Sequence, residues 1–206
     1  MNDNAKPKRL NPPSQKEGNF MQNRSNWLFT AIESALSAGK AILEVYESTD
    51  LGVEKKADNS PLTLADRRAH EIIMAGIGGF GIPVLSEEGR DIAYSERRQW
   101  PRMWIVDPLD GTKEFIKRNG EFTVNIALAE GGIPTMGVIF VPVADTLYFA
   151  EQQMGAFNID ACRRLGIGEK RPEGITRLDA LVDAAARMPL PSVGNRPYTI
   201  MGSRSH

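Results

Sequence analysis

The amino-acid sequence predicts an α+β fold, with helices packed on one face of a largely antiparallel sheet. Three observations predict this fold. Apolar residues recur at helical spacing over residues 27–46, a capping-box pattern opens a second helix, and apolar runs at hairpin spacing fill the middle of the chain. Hydrophobic residues make up 41% of the 206 residues, which is typical of a globular protein rather than a disordered one.

Residues 1–25 are predicted to be a disordered tail, and residues 26–206 to form the folded part of the chain. The tail holds five cations, two anions and several prolines and asparagines, without an apolar period. Met21 is an alternative start. The tail lacks the apolar run of a secretory signal, and no stretch approaches the roughly eighteen apolar residues of a membrane span. Peripheral contact with the inner face of the membrane stays open, because the tail's small positive charge does not decide it.

Two helices open the predicted fold. The first is expected to begin at Trp27, because apolar residues recur at spacings of four and three as far as Tyr46. Thr63 and Asp66 have the spacing of a capping box, which predicts a second helix running to about Ile77. A turn is expected over 58–61, between the two helices, and a run of glycines after the second helix is expected to break the chain.

The rest of the chain is predicted to consist mainly of strands, because short apolar runs alternate with turn residues. Strands are expected at 53–56, 83–85, 104–106, 122–129, 133–141, 146–150, 154–159 and 198–201. Two short helices are expected among them, one over 113–117 and an Ala-rich one over 178–188.

The composition excludes several classes of function. The 25 Lys and Arg residues are balanced by 26 Asp and Glu, which argues against a protein that wraps nucleic acid. Cys162 is the single cysteine, so no disulfide can form within the chain and a reducing, cytoplasmic compartment is indicated. With two histidines, His70 and His206, a Cys/His zinc cluster or a supported Cys–His nucleophile is excluded. Any catalysis must therefore use carboxylates and hydroxyls.

Three carboxylates follow predicted strands, namely Glu87, Asp107 and Asp110. Strand ends are where open sheets place their sites. Together with the Leu109 carbonyl, these are hard oxygen ligands of the kind that suits Mg²⁺. Gly111 lets a ligand approach the backbone, and the helix start that follows it offers free N–H groups to a phosphate. These observations predict a metal–phosphate site.

Plainer interpretations of the same residues stay open at this point. Asp-Pro and Asp-Gly are ordinary turn pairs, and the Ser-Glu-Glu-Gly run at 86–89 is an ordinary solvated strand end. His70 is expected at the surface or in packing, and Cys162 is expected to be unreactive.

The segment from Trp104 to Phe115 resembles the W-x-V-D-P-x-D-G-T-x-x-F signature of the inositol monophosphatase-like superfamily. The run 83–88 resembles the upstream acidic element of that family, and the run 56–66 is similar to its third block. Within the superfamily, residues 112–125 resemble the branch of 3′(2′),5′-bisphosphate nucleotidases, the CysQ type. The resemblance extends from about Trp27 to His206.

The resemblance implies a layered sandwich fold of the sugar-phosphatase type and an enzyme that works with Mg²⁺ as its cofactor. The implied reaction is the hydrolysis of a small phosphate substrate, adenosine 3′,5′-bisphosphate, to AMP and phosphate, in sulfur metabolism. The implied metal ligands are Glu87, Asp107, Asp110 and the carbonyl of Leu109. The implied residues around the substrate are Glu87, Asp110, Gly111, Thr112 and Lys113. Asp66 and Thr112 are implied as the catalytic pair that orients and deprotonates the attacking water.

The sequence also departs from the family. No W-D-x-A-A-G motif, which supplies a further metal-ligand aspartate in the family, follows the strands, since no later aspartate is preceded by Trp. The resemblance therefore implies a chain truncated at its C-terminus, with impaired activity. Residues 26–206 would form the N-terminal phosphatase domain and only the beginning of the C-terminal subdomain, the rest of which is missing. Two alternatives stay open: an inositol-1-phosphate phosphatase, and a non-catalytic remnant that binds metal and phosphate.

Overall fold

The computed structural model describes residues 15–56, 61–162 and 178–189. Residues 1–14 of the predicted tail, most of the turn predicted at 58–61 and the strand predicted at 198–201 lie outside these residues. Two sheets are present in the described part, one of two strands and one of seven. None of the helices in that part is both long and apolar enough to cross a membrane.

The seven-stranded sheet is the centre of the fold, and its strands are neighbours in chain order. The small sheet pairs β1 (Glu54–Lys55) with β2 (Pro61–Leu62). The large sheet consists of β3 (Val84–Ser86), β4 (Arg102–Asp110), β5 (Thr123–Glu130), β6 (Ile133–Val141), β7 (Thr146–Glu151), β8 (Gly155–Asp160) and β9 (Ala186–Arg187). Strands β3 and β4 are parallel, and every other neighbouring pair in the large sheet is antiparallel.

Two long helices pack on one another and on the large sheet. The helices are α1 (Gln15–Tyr46), α2 (Leu64–Ile77), α3 (Tyr94–Arg97), α4 (Thr112–Ile116) and α5 (Leu178–Ala184). Helix α1 contacts α2, β5 and β6, and α2 contacts β4. Glycine is required at both closest approaches, since a Cβ atom on Gly39 would overlap the Phe140 ring and one on Gly76 would overlap the Ser34 hydroxyl.

A single hydrophobic cluster joins these layers. Its largest fully buried members come from both helices and from the sheet, and they include Leu28, Ile32, Ile42, Ile73, Ile77, Trp104, Phe115, Phe122, Ile126 and Leu128. Burial of this apolar surface is what holds the helices on the sheet. The predicted α+β fold, with helices packed on a largely antiparallel sheet, is therefore confirmed.

Helix α1 begins at Gln15 rather than at Trp27, inside the segment predicted to be a disordered tail. The physical reason lies at Arg24, whose side chain is 8% exposed. Its guanidinium pairs with Glu130, and with Glu151 at 2.7 Å, so the early part of the helix is anchored to the strands β5 and β7. We call these three residues the Arg24 cluster.

Two further elements differ from the prediction. Strand β4 does not end at Val106 but continues to Asp110, because β5 pairs with it on both sides of an irregularity between Asp107 and Asp110. The helix predicted over 178–188 ends at Ala184, and the two residues Ala186–Arg187 join the sheet as β9 beside β8.

Candidate active site

The parallel pairing of β3 with β4 brings two predicted site carboxylates together. Leu85 lies opposite Ile105 in the register, and the backbone N–H of Glu87 donates to the Val106 carbonyl at 3.0 Å. Glu87 therefore leaves β3 beside Asp107 of β4. The carboxyl ends of parallel strands meet at one edge of a sheet, which is why the two acids converge although 20 residues separate them in the sequence.

Asp107 is a half-buried acid with an unsatisfied oxygen. Burial, the neighbouring negative charge of Glu87 and that of Asp110 raise the pKa of Asp107 to about 8. Its Oδ1 atom is buried and finds no hydrogen-bond partner among the described residues. A buried carboxylate in this condition is costly unless a cation neutralises it.

Asp110 lies at the end of β4, just beyond the irregularity. Its Oδ2 accepts a hydrogen bond from Nδ2 of Asn125 at 3.1 Å, and Oδ1 of Asn125 in turn accepts from the Thr123 hydroxyl at 3.1 Å. Asn125 also lies opposite Asp107 in the register of β4 and β5. Asn125 is not among the predicted site residues. The sequence signal that could have indicated it is its place in the run 112–125, which resembles the nucleotidase branch. The pairing of β5 with β4 brings it into contact with Asp110.

A hydrogen bond joins Asp66 to Thr112. Asp66 is fully buried in the first turn of α2, and its Oδ1 accepts a hydrogen bond from the Thr112 hydroxyl at 3.2 Å. The Thr112 hydroxyl also lies 3.3 Å from the carbonyl oxygen of Leu109. Burial raises the pKa of Asp66, although hydrogen bonds from Thr63 and Thr112 oppose it. The pair thus joins a buried proton acceptor to a hydroxyl at the end of β4.

The turn between β4 and α4 requires its glycine. Gly111 has a φ of +97°, and a Cβ atom there would lie 2.8 Å from the Glu121 carbonyl oxygen. Helix α4 is held by Phe115, whose ring lies 5.2 Å from those of Tyr46 and Phe122, centroid to centroid. This packing fixes the position of Thr112 at the start of α4 and leaves the Lys113 side chain exposed.

Lys56 is a further residue of the site that the predictions did not include. Its Nζ donates to Glu87 at 3.0 Å and to Glu88 at 2.6 Å. Lys56 adds a positive charge to this edge of the sheet. Burial lowers its pKa, but the hydrogen bonds that it donates to Glu88 and Glu87 and the negative charges of both acids outweigh burial, so the pKa is raised. Lys56 and Glu87 are 31 positions apart in the sequence, which explains why their contact leaves no local signal.

The donor set suits Mg²⁺ in kind, although it does not form a closed cage. Glu87, Asp107, Asp110 and the Leu109 carbonyl supply hard oxygens, and the orphaned Oδ1 of Asp107 has room in its bonding for a cation. Within residues 15–56, 61–162 and 178–189, however, no group of three or more His, Cys, Asp or Glu side chains is arranged to hold a metal ion. The residues therefore fit Mg²⁺ in two respects: their ligand atoms are oxygens, and the buried Asp107 carboxylate would be stabilised by a positive charge.

His70 and Cys162 make contacts within the folded core rather than in the site. Nδ1 of His70 lies 2.9 Å from the Ser86 hydroxyl, which joins α2 to β3. The Cys162 thiol is buried and donates to the Ile159 carbonyl at 3.3 Å. Burial raises the pKa of Cys162 to about 11, so the thiol stays protonated and unreactive at neutral pH.

Comparison with known proteins gives a consistent family. Residues 23–170 match the inositol monophosphatase family. A 3′(2′),5′-bisphosphate nucleotidase CysQ from Shigella flexneri is 44% identical over 173 residues, which cover 82% of this chain and 70% of that protein. The CysQ nucleotidase of Escherichia coli strain K12 is 43% identical over 175 residues, with the same two coverages.

Solved structures agree with this result. CysQ from Bacteroides thetaiotaomicron, described as a bacterial member of the inositol monophosphatase family, is 50% identical with a TM-score of 0.69, and the match covers 81% of this chain. The extragenic suppressor protein SuhB from Bartonella henselae is 33% identical with a TM-score of 0.58, covering 66% of this chain. The chain spans 58% of the first of these structures and 52% of the second.

Proposed function

The chain belongs to the inositol monophosphatase family, and on that premise we propose that it hydrolyses 3′(2′),5′-bisphosphate nucleotides with Mg²⁺. The proposed reaction converts adenosine 3′,5′-bisphosphate to AMP and phosphate. The observation that carries the chemistry is the unpartnered, buried Oδ1 of Asp107 beside Glu87, since it calls for a cation. Similarity to relatives named as CysQ nucleotidases supports the choice of substrate.

The residues proposed to hold Mg²⁺ are Glu87, Asp107, Asp110 and the carbonyl of Leu109. When bound, Mg²⁺ supplies charge neutralisation for the phosphate oxygens and lowers the pKa of a coordinated water. In the proposed site, Asn125 holds Asp110 through its 3.1 Å hydrogen bond. Lys56 limits the negative charge that accumulates at Glu87.

Asp66 and Thr112 are proposed to handle the proton of the attacking water. The Thr112 hydroxyl donates to Oδ1 of Asp66, so its lone pairs remain free to accept a hydrogen bond from a water at the end of β4. Burial raises the pKa of Asp66 toward the range in which a carboxylate is an effective general base. A protein nucleophile is not needed in this scheme, in keeping with the protonated and buried Cys162.

The substrate is proposed to lie against Gly111, Thr112 and Lys113, and next to Glu87 and Asp110, which would hold the metal. The exposed Lys113 side chain is proposed to meet the second phosphate of a bisphosphate substrate. The single buried Cys162 fits the reducing conditions of the cytoplasm, which is the proposed location. Contact with the inner membrane face gains no support from the described residues and is not part of the proposal.

The direct test is release of inorganic phosphate from adenosine 3′,5′-bisphosphate, compared with release from inositol 1-phosphate, with and without Mg²⁺. We expect Mg²⁺-dependent release with preference for the nucleotide. Asp107→Asn and Asp66→Asn should abolish it, and Arg90→Ala, at an exposed ion pair, is the matched control that should retain it. A preference for inositol 1-phosphate would contradict the nucleotide substrate.

A second candidate function is binding of Mg²⁺ and phosphate without turnover. It would use the same buried Oδ1 of Asp107 and its need for a cation, without the proton transfer assigned to Asp66 and Thr112. Stabilisation of the protein by Mg²⁺ and phosphate together, without release of phosphate from either substrate, would identify this function.

A further inference from the structure

Thr63 is a fully buried residue with two contacts to the same oxygen of Asp66. It is the N-cap of α2, with φ −115° and ψ 168°, and it is 0% exposed. Its backbone N–H donates to Oδ2 of Asp66 at 2.7 Å, and its hydroxyl donates to that oxygen as well. The Asp66 backbone N–H donates back to the Thr63 hydroxyl at 3.4 Å, which completes a capping box.

The two oxygens of the Asp66 carboxylate therefore have separate partners. Oδ2 is occupied by both donors of Thr63, and Oδ1 accepts from the Thr112 hydroxyl. The Asp66 carboxylate is attached through two rotatable bonds. Because Thr63 holds Oδ2, rotation of Oδ1 away from Thr112 would break the hydrogen bonds to Thr63. The capping box thus fixes the direction in which Oδ1 points.

Burial distinguishes this cap from an ordinary one. A capping box at the surface stabilises a helix by about 1 kcal/mol, and that benefit does not require its members to leave water. Here both Thr63 and Asp66 are 0% exposed, and the carboxylate bears the cost of desolvation. The arrangement is suited to holding a buried acid in one orientation.

We propose that Thr63 is a positioning residue for the phosphatase reaction, whose hydroxyl holds Oδ2 of Asp66 so that Oδ1 receives the hydrogen bond of Thr112. The inference rests on the proposed function of the Asp66–Thr112 pair. It assigns to the Thr63 hydroxyl an effect on the reaction beyond its effect on the stability of α2.

The test compares Thr63→Ser, which keeps the hydroxyl, with Thr63→Val, which keeps the shape and the backbone N–H. We expect Thr63→Ser to retain kcat within about twofold and Thr63→Val to lower kcat by about tenfold or more, with KM little changed, because a hydrogen bond to a charged group is lost. Ile73→Val, a buried change on the same helix, is the control for a stability effect alone and should leave kcat unchanged.

A second measurement does not depend on turnover. Titration of the ¹³C-labelled Asp66 carboxyl by NMR should show a higher pKa in Thr63→Val than in the wild type and in Thr63→Ser, because one donor to the carboxylate is absent. An unchanged Asp66 titration in Thr63→Val, or equal kcat values in the Val and Ser variants, would overturn the proposal. If the wild type releases no phosphate but the titration shifts, the proposed function fails while Thr63 still holds the carboxylate.

Discussion

Two regions of the molecule bury carboxylates and satisfy them in different ways. In the Arg24 cluster, Glu130 and Glu151 share one guanidinium, and burial of Glu130 is outweighed by the hydrogen bond and charge of Arg24, so the pKa of Glu130 is lowered. Asp107 instead lies against Glu87, and its pKa is raised to about 8. The described residues supply the cations of the first region, whereas they leave Oδ1 of Asp107 without a partner.

The comparison teaches how to separate a structural charge cluster from a functional one. In the Arg24 cluster, both oxygens of Glu151 have partners. Oε1 faces Arg24, and Oε2 accepts hydrogen bonds from the backbone N–H groups of Gln153 and Met154, at 2.7 and 3.1 Å. Oδ1 of Asp107 has no such partner. Buried groups left unsatisfied by their own chain are the better candidates for ligand binding.

The largest expected effect follows from removing the cation of the Arg24 cluster. Arg24→Met leaves the buried Glu151 without its cation and leaves the half-buried Glu130 with only Arg102, at 3.6 Å. It should lower the free energy of unfolding by about 3–5 kcal/mol, measured by urea denaturation at pH 7. Arg90→Ala is the control, since Arg90 and Glu96 form an exposed pair and its loss should cost less than about 1 kcal/mol. Equal, small losses of unfolding free energy in both variants would show that the Arg24 cluster stabilises the protein no more than an exposed ion pair does.

Removal of the Asp107 charge is expected to stabilise the protein, which is the opposite of the effect expected at Arg24. A carboxyl whose folded pKa is about 8 and whose unfolded pKa is about 3.9 favours the folded state most at low pH, and this contribution is lost as the pH rises from about 4 to about 8. Asp107→Asn removes the buried charge, so at pH 8 without metal the variant should be more stable than the wild type by about 2 kcal/mol.

Thermal unfolding at pH 5 and pH 8 in the presence of a chelator measures this difference. The stability advantage of Asp107→Asn should grow between the two pH values. An advantage that is the same at pH 5 and pH 8 would mean that Asp107 is ionised in the folded protein at both.

A smaller effect should show how completely the Arg24 cluster is satisfied. The Thr135 hydroxyl donates to Glu130 at 2.9 Å, so Thr135→Val should cost about 1 kcal/mol in urea denaturation. Thr135→Ser keeps the donor and should cost less than the Val variant. The reverse order of the two variants would show that this hydroxyl does not serve Glu130.

The smallest expected effect concerns a buried group that belongs to neither region. Cys162 is protonated at neutral pH because burial raises its pKa to about 11. The native protein should therefore react negligibly with an aromatic disulfide reagent at pH 8, and fully after denaturation. Rapid labelling of the native chain would show that the thiol is accessible, contrary to its burial.

Local patterns in the sequence were sufficient for much of the fold and for part of the site. The capping box of Thr63 with Asp66 predicted α2, because helix starts are specified by residues three positions apart. The apolar runs before Glu87 and Asp107 predicted two strand ends, and the parallel register of β3 and β4 brought these acids together.

Contacts distant in sequence could not be predicted in this way. Arg24 is 106 residues from Glu130 and 127 from Glu151, so nothing near Arg24 indicated that α1 starts before Trp27. The roles of Lys56 and Asn125 likewise depend on partners brought close by folding. A side chain's partner across a sheet is set by register, which a single sequence does not display.

The central claim is that the carboxylates around Asp107 require an external cation, and a Mg²⁺ titration of metal-free protein at pH 8 tests it most directly. The stability of the wild type should rise with the logarithm of the Mg²⁺ concentration above the Kd, by about 2.7 kcal/mol at about 100 times the Kd, while Asp107→Asn should gain far less. Equal stabilisation of the two proteins by Mg²⁺, or none in the wild type, would contradict the claim.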